Sequence, residues 1–375
     1  WDFGEVAGNA RGLNATQLNL PGTGIGTFND RIRDSVRGGS PFGDRDQQGW
    51  INGLYFQPNG LTSGNEDTQR ERLLFYGDRI RVGLAGNLAA YPFVSYTGEV
   101  ITGADVDYNG APTGYTQDPQ EHIVYISAHD NETLWDIIMY KQLGLPIAEQ
   151  VRMQNLGIDV VMYSQGVPFF HAGIDLLRSK SLDRDSFNSG DWFNYLDFSY
   201  QTNNFGVGLP PASHNADNWP VIGPILAQAD TLRPTPDDIA FAAAHFLESL
   251  QIRASSPLFR LQTGQDVIDR LVFHNTGADQ VPGLIVMSIS DLVDGADLDP
   301  NYEMVVVVFN TSPDVVDFTS EDFTGLALEL HPVLAASLDP VMQTSAFDSA
   351  TGTFSVPGHT AAVFVLPEVS TARQG

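Results

Sequence analysis

The pattern of apolar residues changes character once along this chain, near Ser255-Ser256-Pro257, and that change constrains the fold more than any other feature. Upstream, short apolar runs alternate with stretches of helical spacing. Downstream, about 120 residues carry short β-rich runs separated by turn residues: Leu284–Ile289, Met304–Asn310 and Ala361–Leu366. Alternating strands and helices imply parallel strands joined by helical crossovers. Closely spaced β runs imply an antiparallel sandwich. The expectation is an α/β domain over residues 1–255 and an all-β domain over 256–375.

Local signals place the elements. Thr235 is a cap residue, Pro236 suits the first helical position, and Asp238 sits where it favours the positive helix end. Ile239, Ala243, Phe246 and Leu250 then recur at helical spacing, which predicts a core-facing stripe. Ile123-Val124-Tyr125-Ile126 reads as a buried strand and runs straight into Ser127-Ala128-His129-Asp130-Asn131-Glu132-Thr133. A helix is predicted over Leu134–Leu143. A second unit runs from a helix around Ala148–Leu156 through Val161 to a short strand at Gly166–Phe170. In parallel α/β folds ligands sit beyond the carboxyl ends of the strands, and His129-Asp130-Asn131 lies at such an end.

Composition narrows the function classes. The 375 residues are 42% hydrophobic and 17% charged, a globular composition. Acidic residues outnumber basic ones 46 to 19, for a formal charge of −27. Nucleic-acid binding needs cations to displace counterions from phosphate, so that role is excluded, and an anionic membrane surface is disfavoured for the same reason. Lys141 and Lys180 are the only lysines. An acidic, lysine-poor surface leans towards a secreted or extracellular setting and is equally compatible with ordinary solubility. The absence of cysteine removes disulfides, thiol catalysis and cysteine-ligated metals. No apolar run approaches the roughly 18–20 residues of a membrane span. The chain begins at Trp1 without a signal-peptide pattern, which suggests a processed or truncated product.

Four polar segments are candidates for chemistry. Gly22-Thr23-Gly24-Ile25-Gly26-Thr27 has glycines but no P-loop lysine, and reads as a connecting or active-site loop. In His129-Asp130-Asn131 a carboxylate could accept hydrogen bonds from substrate hydroxyls and an imidazole could donate one; the competing reading is helix capping by Asp130, Asn131 or Thr133. The stretch from Arg178 to Phe205 combines Asp, Asn and Arg with aromatic residues. That mixture suits sugars, whose hydroxyls take directional bonds and whose C–H faces cover aromatic rings. Its alternative is a structured loop whose ions pair internally. Asp291, Asp294, Asp297 and Asp299 could ligate calcium but do not form an EF-hand, and a solvated acidic turn is the simpler reading.

Taken together these segments resemble the pullulanase and limit-dextrinase group of debranching enzymes in glycoside hydrolase family 13. The stretch Gly24–Asp34 followed by Val36-Arg37-Gly38-Gly39 is similar to that group's segment after the fifth barrel strand. His129-Asp130-Asn131 matches the motif at the end of the seventh strand, and Gln165–Gly173 the eighth-strand region. Leu177–Ser186, continued by Ser189–Asn194, is the most discriminating stretch, and Asn203–Pro211 and Asp217–Pro220 extend the match.

The resemblance implies α/β plus all-β architecture: the C-terminal part of a (β/α)8 TIM barrel, strands six to eight, followed by an antiparallel β-sandwich. It implies retaining hydrolysis of α-1,6-glucosidic linkages in pullulan, limit dextrins and branched α-glucans, which needs a nucleophile and an acid/base about 5–5.5 Å apart. Asp130 matches the third carboxylate, which stabilises the transition state. His129 matches the histidine that binds hydroxyls of the same sugar. Trp1, Asn131, Arg184 and Asp217 match substrate-binding positions. The family's nucleophile aspartate and acid/base glutamate find no match within these residues, so the chain alone is expected to be inactive. Its implied partners are an α-glucan and the N-terminal half of the same enzyme, with no cofactor and with calcium left open. The rival readings are a non-catalytic α-glucan-binding fragment and an isoamylase or amylopullulanase specificity.

Overall fold

The structure, a computed structural model, describes residues 14–368. Its first layer is a sheet of three parallel strands in the order Thr27–Phe28, His122–Val124, Val167–Pro168. The register pairs Phe28 with Ile123 and Val124 with Pro168. Helices follow each strand, as a parallel arrangement requires. Helix Asp30–Arg37 starts immediately after the first strand, where the Asn29 side chain accepts from the amides of Arg31 and Ile32. It stops at Gly38, whose φ of 91° and close approach to the Gln47 carbonyl leave no room for a Cβ. Helices Leu134–Lys141 and Ile147–Met162 follow the middle strand, and helix Pro236–Ser255 follows the third. The sheet is open: among the described residues these strands do not close into a barrel.

The second region is antiparallel throughout. Five strands are ordered Glu329–Leu330, Thr360–Pro367, Tyr302–Asn310, Leu284–Ser290, Leu271–Phe273. A second sheet orders Val316–Thr319, Thr353–Val356, Ala346–Asp348. Phe354 of the smaller sheet lies 5.0 Å from Phe364 of the larger, 5.0 Å from Phe323 and 4.7 Å from Phe347, so aromatic packing joins the two sheets. The run Val305–Phe309 is buried on both faces, which is why it reads as continuously apolar rather than alternating. One of its faces meets the helical region, where Tyr163 packs 6.3 Å from Phe309.

Several sequence expectations need correction. The Thr235 capping box is present with Asp238. The stripe of that helix is Ile239, Ala242, Ala243 and Ile252, while Phe246 is half-buried and Leu250 is exposed. The helix expected around Ala148–Leu156 runs on through Val161, over Ile147–Met162. That helix is buried on nearly every side from Gln150 onward, so its apolar run carries no surface periodicity. The three parallel strands are two or three residues long, shorter than the apolar runs that contain them. Two small hairpin ladders between Pro92 and Pro112 went unread because their strands are only two or three residues long. Asp299 is fully buried, accepting from Ser256 Oγ and the Asn301 amide, so it is no part of a solvated turn; Asp294 and Asp297 are exposed.

Polar contacts knit the helical and antiparallel regions together. Arg152 makes a two-pronged pair with Asp339, both bonds 2.8 Å. Arg81 donates to the Asn275 carbonyl at 2.7 Å, and the Thr311 hydroxyl donates to the Trp50 carbonyl. One hydrophobic core runs through both regions.

Truncating Phe354 to Ala removes the ring that joins the two sheets. The expected loss is about 3–5 kcal/mol of unfolding free energy, read from a denaturant midpoint at unchanged slope. A loss below about 1 kcal/mol would show that the sheets are held by other contacts.

Candidate functional site

The carboxyl ends of the three parallel strands carry Asn29-Asp30, Ser127-Ala128-His129-Asp130-Asn131 and Phe169-Phe170-His171. Phe28 stands edge-on to both Tyr125 and Phe169, at 5.1 and 5.0 Å, so aromatic rings floor this end of the sheet. Above them the His129 and Asp130 side chains are 74% and 54% exposed, with Nε2 and Oδ1 3.5 Å apart.

The competing role of Asp130 and Asn131 as helix caps is ruled out by geometry. Thr133 is the cap of helix Leu134–Lys141, its hydroxyl accepting from the Asp136 amide at 3.1 Å. Asn131 takes a left-handed φ of 62°, which turns the chain between the exposed pair and the cap.

The exposed loop rests on a buried strap that the sequence did not disclose. Asp136, fully buried in the first turn of that helix, accepts from Ser179 Oγ at 2.5 Å and from the Lys180 amide at 2.9 Å. Lys180, itself buried, sends its ammonium to the His129 carbonyl at 3.2 Å. Two residues before Lys180, Arg178 donates to His171 Nε2 at 3.0 Å, and His171 Nδ1 lies 3.2 Å from Ser127 Oγ. Burial, reinforced by the Arg178 charge, pushes His171 down to about 3, so the ring is neutral. Since Arg178 can only donate, the proton sits on Nδ1 and points at Ser127. Burial pushes Asp136 up to about 6 against the opposing bonds from Ser179 and Lys180, and burial also lowers Lys180 against the attraction of Asp136.

The remaining candidates cluster around the segment from Pro41 to Asp46. Arg184 is half-buried; its Nη2 reaches the Pro41 carbonyl at 3.4 Å and its guanidinium lies 5.8 Å from the Phe42 ring. Asp217 is exposed in the turn Ala216–Asn218. Arg45 joins this turn to the His129 loop, pairing with buried Glu132 at 2.6 Å and donating to Asn218. Asn131 and Asp217 are thus tied through neighbouring residues on one guanidinium. Trp1 lies outside the described residues. Arg45, Glu132, Asp136 and Lys180 are the supports that sequence reasoning missed; the scarcity of lysine was the one signal that could have drawn attention to Lys180.

Within the 178–205 stretch, internal pairing accounts for part of the charge. Asp183 is fully buried and accepts from the Asp185 amide, Ser189 Oγ and Asn215 Nδ2 at 2.6–2.9 Å, so it is scaffold rather than a binding group. Trp192, Phe187 and Phe198 remain exposed. A cavity of about 940 Å³ opens beside the Pro41–Asp46 segment, lined by Arg45, Leu61, Tyr140, Val221 and Ile225 among others. It borders the site through Gly43, Asp44, Arg45 and Asp46, and none of His129, Asp130, Asn131, Arg184 and Asp217 lines it. Among the described residues no group of three or more metal-ligating side chains converges, and no helix is long and apolar enough to cross a membrane.

This arrangement presents an acceptor and an imidazole on a fixed loop at a strand end, the geometry of a hydroxyl-binding surface. Residues 200–367 match the family model described as alpha-1,6-glucosidases, pullulanase-type, C-terminal. The chain is 49% identical over 371 residues to pullulanase 1, chloroplastic, of Arabidopsis thaliana, covering 97% of this chain and 38% of that protein. The chain belongs to the pullulanase group.

A pullulanase of Klebsiella pneumoniae is 42% identical over 360 residues, which is 94% of this chain and 32% of that protein. The crystal structure of apo pullulanase from the same organism superimposes with a TM-score of 0.87 at 40% identity, over 96% of this chain and 38% of that one. Its maltotriose complex superimposes equally well. The chain spans under two-fifths of the length of these pullulanases.

The strap makes a prediction about pH. Asp136 binds its proton more tightly in the folded state, about 6 against an ordinary value of 3.8. Wild-type stability relative to Asp136→Asn should therefore fall as pH rises from about 4 to about 6 and then level off. Denaturation of both proteins across that range checks this; a wild type that gains on the variant as pH rises would refute the burial of an uncompensated carboxylate.

Proposed function

We propose that this chain supplies part of the sugar-gripping face of a retaining, pullulanase-type debranching hydrolase. In this reading the three parallel strands are strands six to eight of a (β/α)8 barrel, completed by polypeptide beyond these residues. The substrate is an α-glucan carrying α-1,6 linkages: pullulan, a limit dextrin or a branched maltooligosaccharide. The relation to pullulanases, one of them crystallised with maltotriose, supports that substrate class.

The observation that carries the proposal is the exposed His129–Asp130 pair at the carboxyl end of the middle strand, on a loop whose cap is provided by another residue. A carboxylate held in that way, and not consumed by its own helix, is available to a ligand. Retaining glycoside hydrolysis passes through a flattened, oxocarbenium-like ring. Asp130 accepts hydrogen bonds from hydroxyls of that ring and balances its developing positive charge. His129 donates to a neighbouring hydroxyl. These contacts accelerate the reaction to the extent that they are stronger in the transition state than in the relaxed sugar. Asn131, Arg184 and Asp217 contact adjoining glucose units, and Trp1 stacks on glucose on the leaving side of the bond.

The nucleophile and the acid/base are assigned to the rest of the enzyme. Asp183 and Asp136 are buried and hydrogen-bonded, so neither takes over those roles. No resident metal or cofactor enters the proposed chemistry.

In the complete enzyme, Asp130→Asn should lower kcat on pullulan by about 10²–10³-fold, with the thermal midpoint within a few degrees of wild type. Near-normal turnover would remove the role given to Asp130. The 375-residue chain alone should release no reducing ends from pullulan. Release by the purified chain would contradict the assignment of the catalytic carboxyls to polypeptide outside it. Binding of maltotriose without turnover, even in the complete protein, would favour a glucan-binding role instead.

A further inference from the structure

The chain contains two lysines, and the structure buries both. Among the described residues neither ammonium forms an ion pair with a carboxylate; Lys141 donates to two backbone carbonyls and Lys180 to one. Lys141 Nζ binds the carbonyls of Arg37 and Gly38, and Lys180 Nζ binds that of His129. Burying an ammonium costs free energy unless its donors are used, so a lysine retained in such a place fixes what it binds. In a chain with so few lysines, one of them holds the backbone of the residue next to Asp130.

We propose that Lys180 is a positioning residue for the His129–Asp130 pair, setting where the Asp130 carboxylate stands against the sugar. This rests on the function proposed above. Three successive residues grip the loop and the start of its helix at separate points. Arg178 reaches Ser127 through His171, Ser179 binds Asp136, and Lys180 binds both the Asp136 carboxylate, through its amide, and the His129 carbonyl, through its side chain. The side chains of His129 and Asp130 are 74% and 54% exposed. The Lys180 ammonium holds the His129 carbonyl from below. Lys180 touches no reacting atom; it acts through the His129 carbonyl. Because a misplacement of about 1 Å in a positioned group costs ~10²-fold in rate, such a clamp is felt in turnover before it is felt in affinity.

The test compares Lys180→Met, Lys141→Met and Asp130→Asn in the complete enzyme. Methionine keeps the length of the stem and removes the ammonium in both lysine variants. Lys180→Met is expected to lower kcat on pullulan by ~10–100-fold with KM within about threefold, the pattern of an interaction expressed in the transition state. Lys141→Met removes an equivalent buried clamp away from the loop; it is expected to lower the thermal midpoint and to leave kcat per folded molecule within about twofold. If Lys180→Met keeps wild-type kcat, or raises KM alone, or loses no more kcat than Lys141→Met, while Asp130→Asn shows its ~10²–10³-fold loss of kcat, the positioning role is overturned and the function stands. Near-normal kcat in Asp130→Asn overturns both. Should Lys180→Met not fold, Ser179→Ala removes one donor to Asp136 and leaves every charge in place. A drop of ~3–10-fold in kcat at constant KM then supports the strap, and unchanged kcat overturns it.

Discussion

A buried carboxylate with too few charges around it is the constraint on which the site depends. Asp136 sits in the first turn of its helix, out of contact with water, and its oxygens are satisfied by the hydroxyl of Ser179 and the amide of Lys180. Those bonds cannot be made unless the segment after the third parallel strand folds back across the loop after the second. The fold-back brings the Lys180 ammonium under the His129 carbonyl and the Arg178 guanidinium against His171. The bonds of one buried carboxylate thus dictate the path of two loops. The consequence is a rigid base beneath an exposed His129–Asp130 pair, the arrangement a binding loop needs when its own side chains face solvent.

The rest of the molecule supports that arrangement from outside. Helix Ile147–Met162 is the piece most constrained by burial, lying between the parallel layer and the antiparallel region, with the side chains of Ile51 and Ile126 closing in over Gly157. Its single buried acid, Asp159, is met by His245 at 3.0 Å and by Ser249 Oγ at 2.7 Å, so no charge is stranded there. The sandwich is joined to this helix by the Arg152–Asp339 pair and shares its core, which makes the antiparallel region a buttress for the layer that carries the site.

What was legible in the sequence follows from locality. Caps, runs and turns are short-range signals, and Thr235, Pro236 and Asp238 announced their helix because all the groups involved lie within one turn. The long strands announced themselves because burial on both faces leaves an unbroken apolar run. His129-Asp130-Asn131 was visible as a polar triplet at a strand end, and the likeness to debranching enzymes supplied its meaning. The strap was invisible because its partners, Asp136 and Ser179–Lys180, are more than forty positions apart in the chain. Separation in sequence likewise hid the link from Arg45 to Glu132 and Asn218, and the bond from Asn215 that makes Asp183 a buried anchor.

The central claim is spatial: one glucose ring, caught at the strand ends, is met by the side chains at positions 129 and 130. The crystal structure of the complete enzyme with maltotriose measures this directly. The Asp130 carboxylate and the His129 imidazole are expected within about 2.6–3.2 Å of hydroxyls on one sugar unit, with the Lys180 ammonium still on the His129 carbonyl. Sugar seated in the cavity beside Tyr140 and Leu61, with the pair left facing bulk water, would contradict it.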